Sequence, residues 1–140
     1  GWCVLRSTTT LNRLPCECAS MVSTSRGDIE AIRDAGGDAV RVIAEYDREG
    51  YEVEYLRGDV ESKIQEVAGD IHEELIIQGM GVEYLEKLFR AGDLQCSVHR
   101  FEEVTAFHFT DTEFTGLFVS LDSTADIPLA TFVDICCDVL

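Results

Sequence analysis

Leu94-Gln95-Cys96-Ser97-Val98-His99-Arg100-Phe101, Val104-Thr105-Ala106-Phe107-His108-Phe109 and Thr115-Gly116-Leu117-Phe118-Val119-Ser120-Leu121 are three apolar-rich segments separated by turn-forming residues, and their reading decides the fold. Their β-branched and aromatic content and short spacing predict one antiparallel meander. With Glu102-Glu103 as a two-residue loop, Phe101 pairs with Val104, His99 with Ala106 and Ser97 with His108. Because side chains alternate with a period of two, one face then collects Leu94, Cys96, Val98, Phe107, Phe109, Leu117, Val119 and Leu121. That is the expected core face. The other face holds Ser97, His99, Phe101, Val104, Ala106, His108, Gly116, Phe118 and Ser120, a set too apolar to stay wholly in water. Either a helix of the same chain or a second copy is expected to cover it.

Upstream, the apolar residues Ile29, Ile32, Val40 and Ile43 recur at near-helical spacing, which predicts a helix over 28–49, kinked or broken at Gly36-Gly37 and capped by Gly50. Strict alternation in Tyr51-Glu52-Val53-Glu54-Tyr55 predicts a strand with its glutamates toward solvent. Asp59 is placed to cap a second helix whose stripe is Val60, Ile64, Val67, Ile71 and Leu75, ending at Gly79-Met80-Gly81. A third helix over 82–90 carries Val82, Leu85, Leu88 and Phe89 on one side, with Gly92 beyond its end. After the meander, Asp126 and Pro128 open a last helix whose stripe is Leu129, Phe132, Val133, Cys136 and Leu140. The order predicts a single α+β domain: a mainly antiparallel four-stranded sheet, one strand plus the meander, with three to four helices.

Composition bounds the environment. The chain has 140 residues and a formal net charge of -16, with 27 acidic residues against 11 basic ones, of which only Lys63 and Lys87 are lysines. Such a surface suits a halophilic cytoplasm, where a Debye length of roughly 3 Å at 1 M salt suppresses self-repulsion among carboxylates. Residues 1–20 hold Arg6, Arg13 and Glu17, lack this acidity and show no periodicity. They are read as a disordered leader preceding a natural start at Met21, with 21–140 as the domain. The basic residues form no run, which argues against nucleic acid as a partner. No apolar run approaches the roughly 18 residues of a membrane span.

Two chemistries are open to these side chains. His99 and His108 share the second face diagonally across the hairpin, a placement from which two imidazoles could bind a metal ion, with Glu103 or Asp111 near. Nucleophilic catalysis lacks support: Cys96 points away from both histidines, the spacing of the six cysteines matches no paired zinc pattern, and no base adjoins Cys136-Cys137. An enzymatic role is therefore left open but unsupported, and no cofactor is implied. The leading expectation is an interaction or regulatory module, homodimeric or bound to another protein, with Phe101, Val104 and Phe118 as its contact. A metal-binding or ligand-sensing protein centred on His99 and His108 is the alternative.

Glu45-Tyr46-Asp47, Tyr51-Glu52-Val53-Glu54-Tyr55-Leu56-Arg57, Leu94-Gln95-Cys96-Ser97, Arg100-Phe101-Glu102-Glu103 and Gly116-Leu117-Phe118-Val119-Ser120-Leu121-Asp122 resemble segments of a family of small halophilic archaeal proteins, over roughly 38–140. That resemblance implies a high-salt cytoplasm and a single domain, and assigns no catalytic residue. The helix-and-meander order is also similar to that of roadblock and longin-type interaction domains, which implies dimerisation or scaffolding. Those domains place a hairpin before the middle helix, where this sequence shows one clear strand.

Overall fold

The structure, a computed structural model, describes residues 26–112 and 114–140; the expected leader, 1–20, and Met21 lie outside the described residues. Five antiparallel strands form one sheet: β1 (Val40–Tyr46), β2 (Tyr51–Leu56), β3 (Ser97–Arg100), β4 (Val104–Thr112) and β5 (Thr115–Asp122), in the order β2-β1-β5-β4-β3. Among the described residues four α-helices accompany them: α1 (Arg26–Gly36), α2 (Glu61–Met80), α3 (Val82–Phe89) and α4 (Leu129–Cys137).

The meander forms in the expected register. Ser97 pairs with His108, Val98 with Phe107 and His99 with Ala106, and the Phe101 N–H donates to the Val104 carbonyl across the two-residue loop at 2.7 Å. Phe107, Phe109, Leu117, Val119 and Leu121 are buried on one face against Ile29 and Ile32 of α1 and Phe132 and Cys136 of α4. Each such side chain contributes about 1.5–3 kcal/mol by leaving water. Val98, on the edge strand, stays exposed, and so do Leu129 and Leu140 of the expected α4 stripe.

The segment 40–46 corrects the expected long helix. Only its first part is helical; after Gly37, whose φ of +60° reverses the chain, Val40–Tyr46 is the central strand. Val40, Val42 and Ile43 are β-branched, and both faces of this strand are buried, so its apolar residues run on rather than alternate. Gly50 closes a turn instead of capping a helix: the Asp47 N–H donates to its carbonyl, and the Asp47 carboxylate accepts from the Glu49 and Gly50 N–H groups. The sheet thus gains a strand over the four expected, and a β1–β2 hairpin stands before α2.

A register shift at Ile43/Ala44 leaves Val53 opposite Ala44 and Tyr55 opposite Ile43. The alternation read for β2 therefore breaks at Glu54. Tyr51 and Val53 face α2, whereas Tyr55 packs against the main core with the Arg33 guanidinium 4.1 Å above its ring. Glu54 is half-buried, not turned to solvent. At the far end of β2, the Arg57 guanidinium holds Asp122 at 2.8 and 3.0 Å, and Arg41 donates to the same carboxylate at 3.0 Å. These pairs tie β1, β2 and β5 together. Asp59 does not cap α2; its carboxylate accepts from Arg57 instead, and Val60 occupies the cap position.

Candidate functional site

The second face of the sheet is covered by the chain's own helix α2. A narrow apolar cleft of about 40 Å³ remains between them, lined by Val42, Ala44, Tyr51 and Phe118 of the sheet and Ile64, Ala68 and Ile71 of the helix, among others. α2 packs loosely for a helix of its length: Leu75 and Gly79 are its buried residues, while Ile64, Val67 and Ile71 are half-buried.

Two histidines help to seat this helix. His72, on α2, bonds through Nε2 to the Asp47 carbonyl at 2.7 Å, and its ring lies edge-on to Tyr46. His108, on β4, is only 4% exposed and uses both ring nitrogens: Nε2 lies 2.5 Å from Tyr46 Oη and Nδ1 lies 2.9 Å from Gln78 Oε1. Gln78 Nε2 in turn donates to Glu74 at 3.3 Å. One arrangement of protons satisfies the chain: Tyr46 O–H donates to Nε2, and Nδ1–H donates to Gln78. His108 is then neutral, and burial, with a smaller contribution from His99, lowers its pKa to about 4. Burial also raises the Tyr46 phenol above its usual value.

This geometry leaves His108 no free ring nitrogen for a metal. His99 is exposed on the edge strand, and among the described residues no group of three or more His, Cys, Asp or Glu side chains is placed to hold a metal ion. The two histidines share a face, as expected, but their surroundings assemble a helix anchor. Nor, among the described residues, is a cysteine poised as a nucleophile: burial pushes the Cys96 and Cys136 thiols up to about 12 and raises that of Cys137.

The expected contact residues are separated. Phe118 lines the cleft beneath α2 and Val104 is half-buried; Phe101, at the β3–β4 turn, is 61% exposed. They do not form one open patch, because α2 occupies the face on which the sequence places them together.

Exposed apolar surface lies instead where the sequence predicts a buried stripe. No residue of α3 is buried; Tyr84, Leu88 and Phe89 are 68%, 59% and 71% exposed, and Leu85 is also open. α3 nearly continues α2: Gly81 joins them in the right-handed helical region, its N–H donating to Gln78 and its carbonyl accepting from Leu85. Ile77 and Met80, exposed at the end of α2, extend the row. Arg90, with φ of 53°, ends α3 in the left-handed conformation, and the Leu94 N–H donates to Glu86 Oε2 at 2.6 Å, fixing the helix to the segment that enters β3. The sequence signal for this surface is the stripe itself; what periodicity does not show is whether anything in the chain packs against it.

The chain belongs to the family described as Domain of unknown function (DUF7522), whose model matches residues 29–140. A search of curated proteins finds no match. Among solved structures the fold is similar to that of a Roadblock/LC7 domain from Streptomyces avermitilis, with a TM-score of 0.51 at 17% identity, covering 79% of this chain and 88% of that one. The gliding protein MglB of Thermus thermophilus matches with a TM-score of 0.42 at 17% identity, over 80% of this chain and 87% of that one. MglB in a tetrameric arrangement gives 0.42 at 16% identity, over 86% and 95%. The first likeness shows a Roadblock/LC7-like fold, and the β1–β2 hairpin supplies the feature that the sequence reading lacks.

Proposed function

We propose that this protein is a self-associating interaction or regulatory module of a halophilic cytoplasm. The observation that carries the reading is the exposed apolar row on α3 and the end of α2, where Ile77, Met80, Tyr84, Leu88 and Phe89 are left in water and no residue of α3 is buried. A continuous row of this kind marks an interaction surface in a folded protein. The resemblance to roadblock-type interaction domains supports the same role, and the charge of -16 supports the high-salt setting. Among the described residues, no helix is long and apolar enough to cross a membrane.

The mass in solution of the full chain, measured by light scattering over a range of concentrations in multimolar KCl with a dilute-salt control, tests this reading. A dimer or larger assembly in concentrated salt is expected. A monomer at every concentration would sink it.

A further inference from the structure

The cleft between α2 and the second face of the sheet has a shape that selects among ligands. Its helical wall runs from Ile64 through Ala68 and Ile71 to Leu75, a length of roughly 16 Å at the rise of an α-helix. A volume of about 40 Å³ drawn out over that length is a slot. A benzene ring occupies an apolar cavity of about 150 Å³. The slot is too thin for a ring and suits a single chain laid along the helix.

The slot stays open because α2 is pinned near both ends while the side chains between are small. Val60, at the cap position, is 4% exposed; toward the other end His72 Nε2–H donates to the Asp47 carbonyl and Gln78 bonds to His108. Between these anchors Ala68 of the helix and Ala44 of β1 line the slot, where larger side chains would fill it. Tyr46 and His72 turn ring surface to it, because Tyr46 Oη is bonded to His108 and His72 Nε2 to Asp47. Among the described residues the slot therefore presents no polar surface, and water inside it has no hydrogen-bond partner. Tyr51 and Val53, 46% and 37% exposed on the edge strand β2, leave it open to solvent on that side.

We infer that this slot binds an unbranched alkyl chain with an uncharged head, of the class of the primary alcohols. The chain enters past Tyr51 and Val53 and lies between Ala44 and Ala68, replacing empty space with apolar contact. The head stays at the mouth in water. There charge decides its nature: α2 carries Glu61, Glu66, Asp70, Glu73 and Glu74 against a single Lys63, on a chain of net charge -16, so a fatty carboxylate is repelled where an alcohol is not.

Titration of the full chain, labelled at its Ile and Leu methyl groups, with 1-hexanol, hexanoate and benzene tests this by NMR, at the lowest KCl at which circular dichroism shows the native fold and screening is least. With 1-hexanol the methyl signals of Ile64 and Ile71 should shift and saturate, while those of the exposed Leu85 and Leu88 on α3 stay in place. Hexanoate should bind about tenfold more weakly. Ala68→Leu, which fills the middle of the slot, should also weaken 1-hexanol at least about tenfold, and Ala44→Val does the same from the sheet side should the first variant fail to fold. Shifts that never saturate, or that move Leu85 and Leu88 as much as Ile64 and Ile71, would mean adsorption to the exposed row and overturn the site, as would unchanged affinity in a folded filling variant. Benzene binding at Ile64 and Ile71 as tightly as 1-hexanol would overturn the chain-shaped ligand, and hexanoate binding as tightly would overturn the uncharged head.

Discussion

At the scale of single residues, His108 shows what sequence does and does not disclose. Its strand, its face and its cross-strand partner Ser97 follow from a period of two. Its hydrogen-bond partners do not, because Tyr46 and Gln78 lie 62 and 30 positions away and meet it only through the fold. The neutral ring has a consequence for stability. Its folded pKa of about 4 lies below the ordinary value of 6.5, so between these the unfolded chain binds the extra proton. Stability from this site is complete above pH 6.5 and falls as the pH drops toward 4, by about 3 kcal/mol in all. Denaturant titrations at pH 7 and 5 should therefore show a loss in the wild type and a smaller one in His108→Asn. An equal loss in both would place the acid sensitivity elsewhere. Glu45 has the opposite sign. Burial, and then Glu54 beside it, raises its pKa from 4.5 to about 9, so the folded state keeps a proton that the unfolded chain releases. Its contribution is complete below pH 4.5 and is lost as the pH rises toward 9. Glu45→Gln should flatten the alkaline side of the stability profile, measured as thermal midpoints between pH 7 and 9.

Among the elements, legibility depends on whether an alternation has one meaning. The hairpin of β3 and β4 is readable because its register puts Phe107 and Phe109 together in the main core, and a one-residue slip would turn both to the opposite face. β1 is not, because the spacing of Val40 and Ile43 satisfies a helix as well as a strand buried on both faces; its β-branched run is the better guide. α3 lies where its stripe predicts, but without the expected packing, since an amphipathic stripe implies burial against something without saying whether that something lies in the same chain. The join between β1, β4 and β5 has its own signature in Gly116. A Cβ there would overlap the Phe109 carbonyl oxygen and lie 2.8 Å from Tyr46 Oη, so no side chain fits without displacing the phenol from His108. Gly116→Ala should cost about 2–4 kcal/mol, from overpacking together with the disturbed Tyr46–His108 bond. Chemical denaturation should report the cost, and the imidazole signal of His108 should shift. A neutral substitution would mean that β5 moves aside freely.

For the whole molecule the balance is between a sheet buried on both faces and a surface charge of -16. Specific pairing offsets little of that charge: Asp122 is held well below the usual carboxylate range by Arg57 and then Arg41, but this cluster engages only two of the arginines and fixes one end of β1, β2 and β5. Most remaining carboxylates are exposed on α2, α3 and the loops and repel one another through water. α2 bears the largest share of the consequence. It carries Glu61, Glu66, Asp70, Glu73 and Glu74 against a single Lys63, and two buried residues seat it on the sheet. Raising KCl from about 0.1 to 3 M shortens the screening length from roughly 10 Å to below 3 Å and also strengthens apolar burial. The thermal midpoint should therefore rise steeply with KCl, and amide exchange in α2 should slow more than in β1 or β5. Replacing Glu66, Asp70 and Glu73 by glutamine separates the two causes. If self-repulsion dominates, the triple variant is stable in dilute salt and gains little from KCl; if it keeps the wild-type salt dependence, apolar burial is what the salt supports.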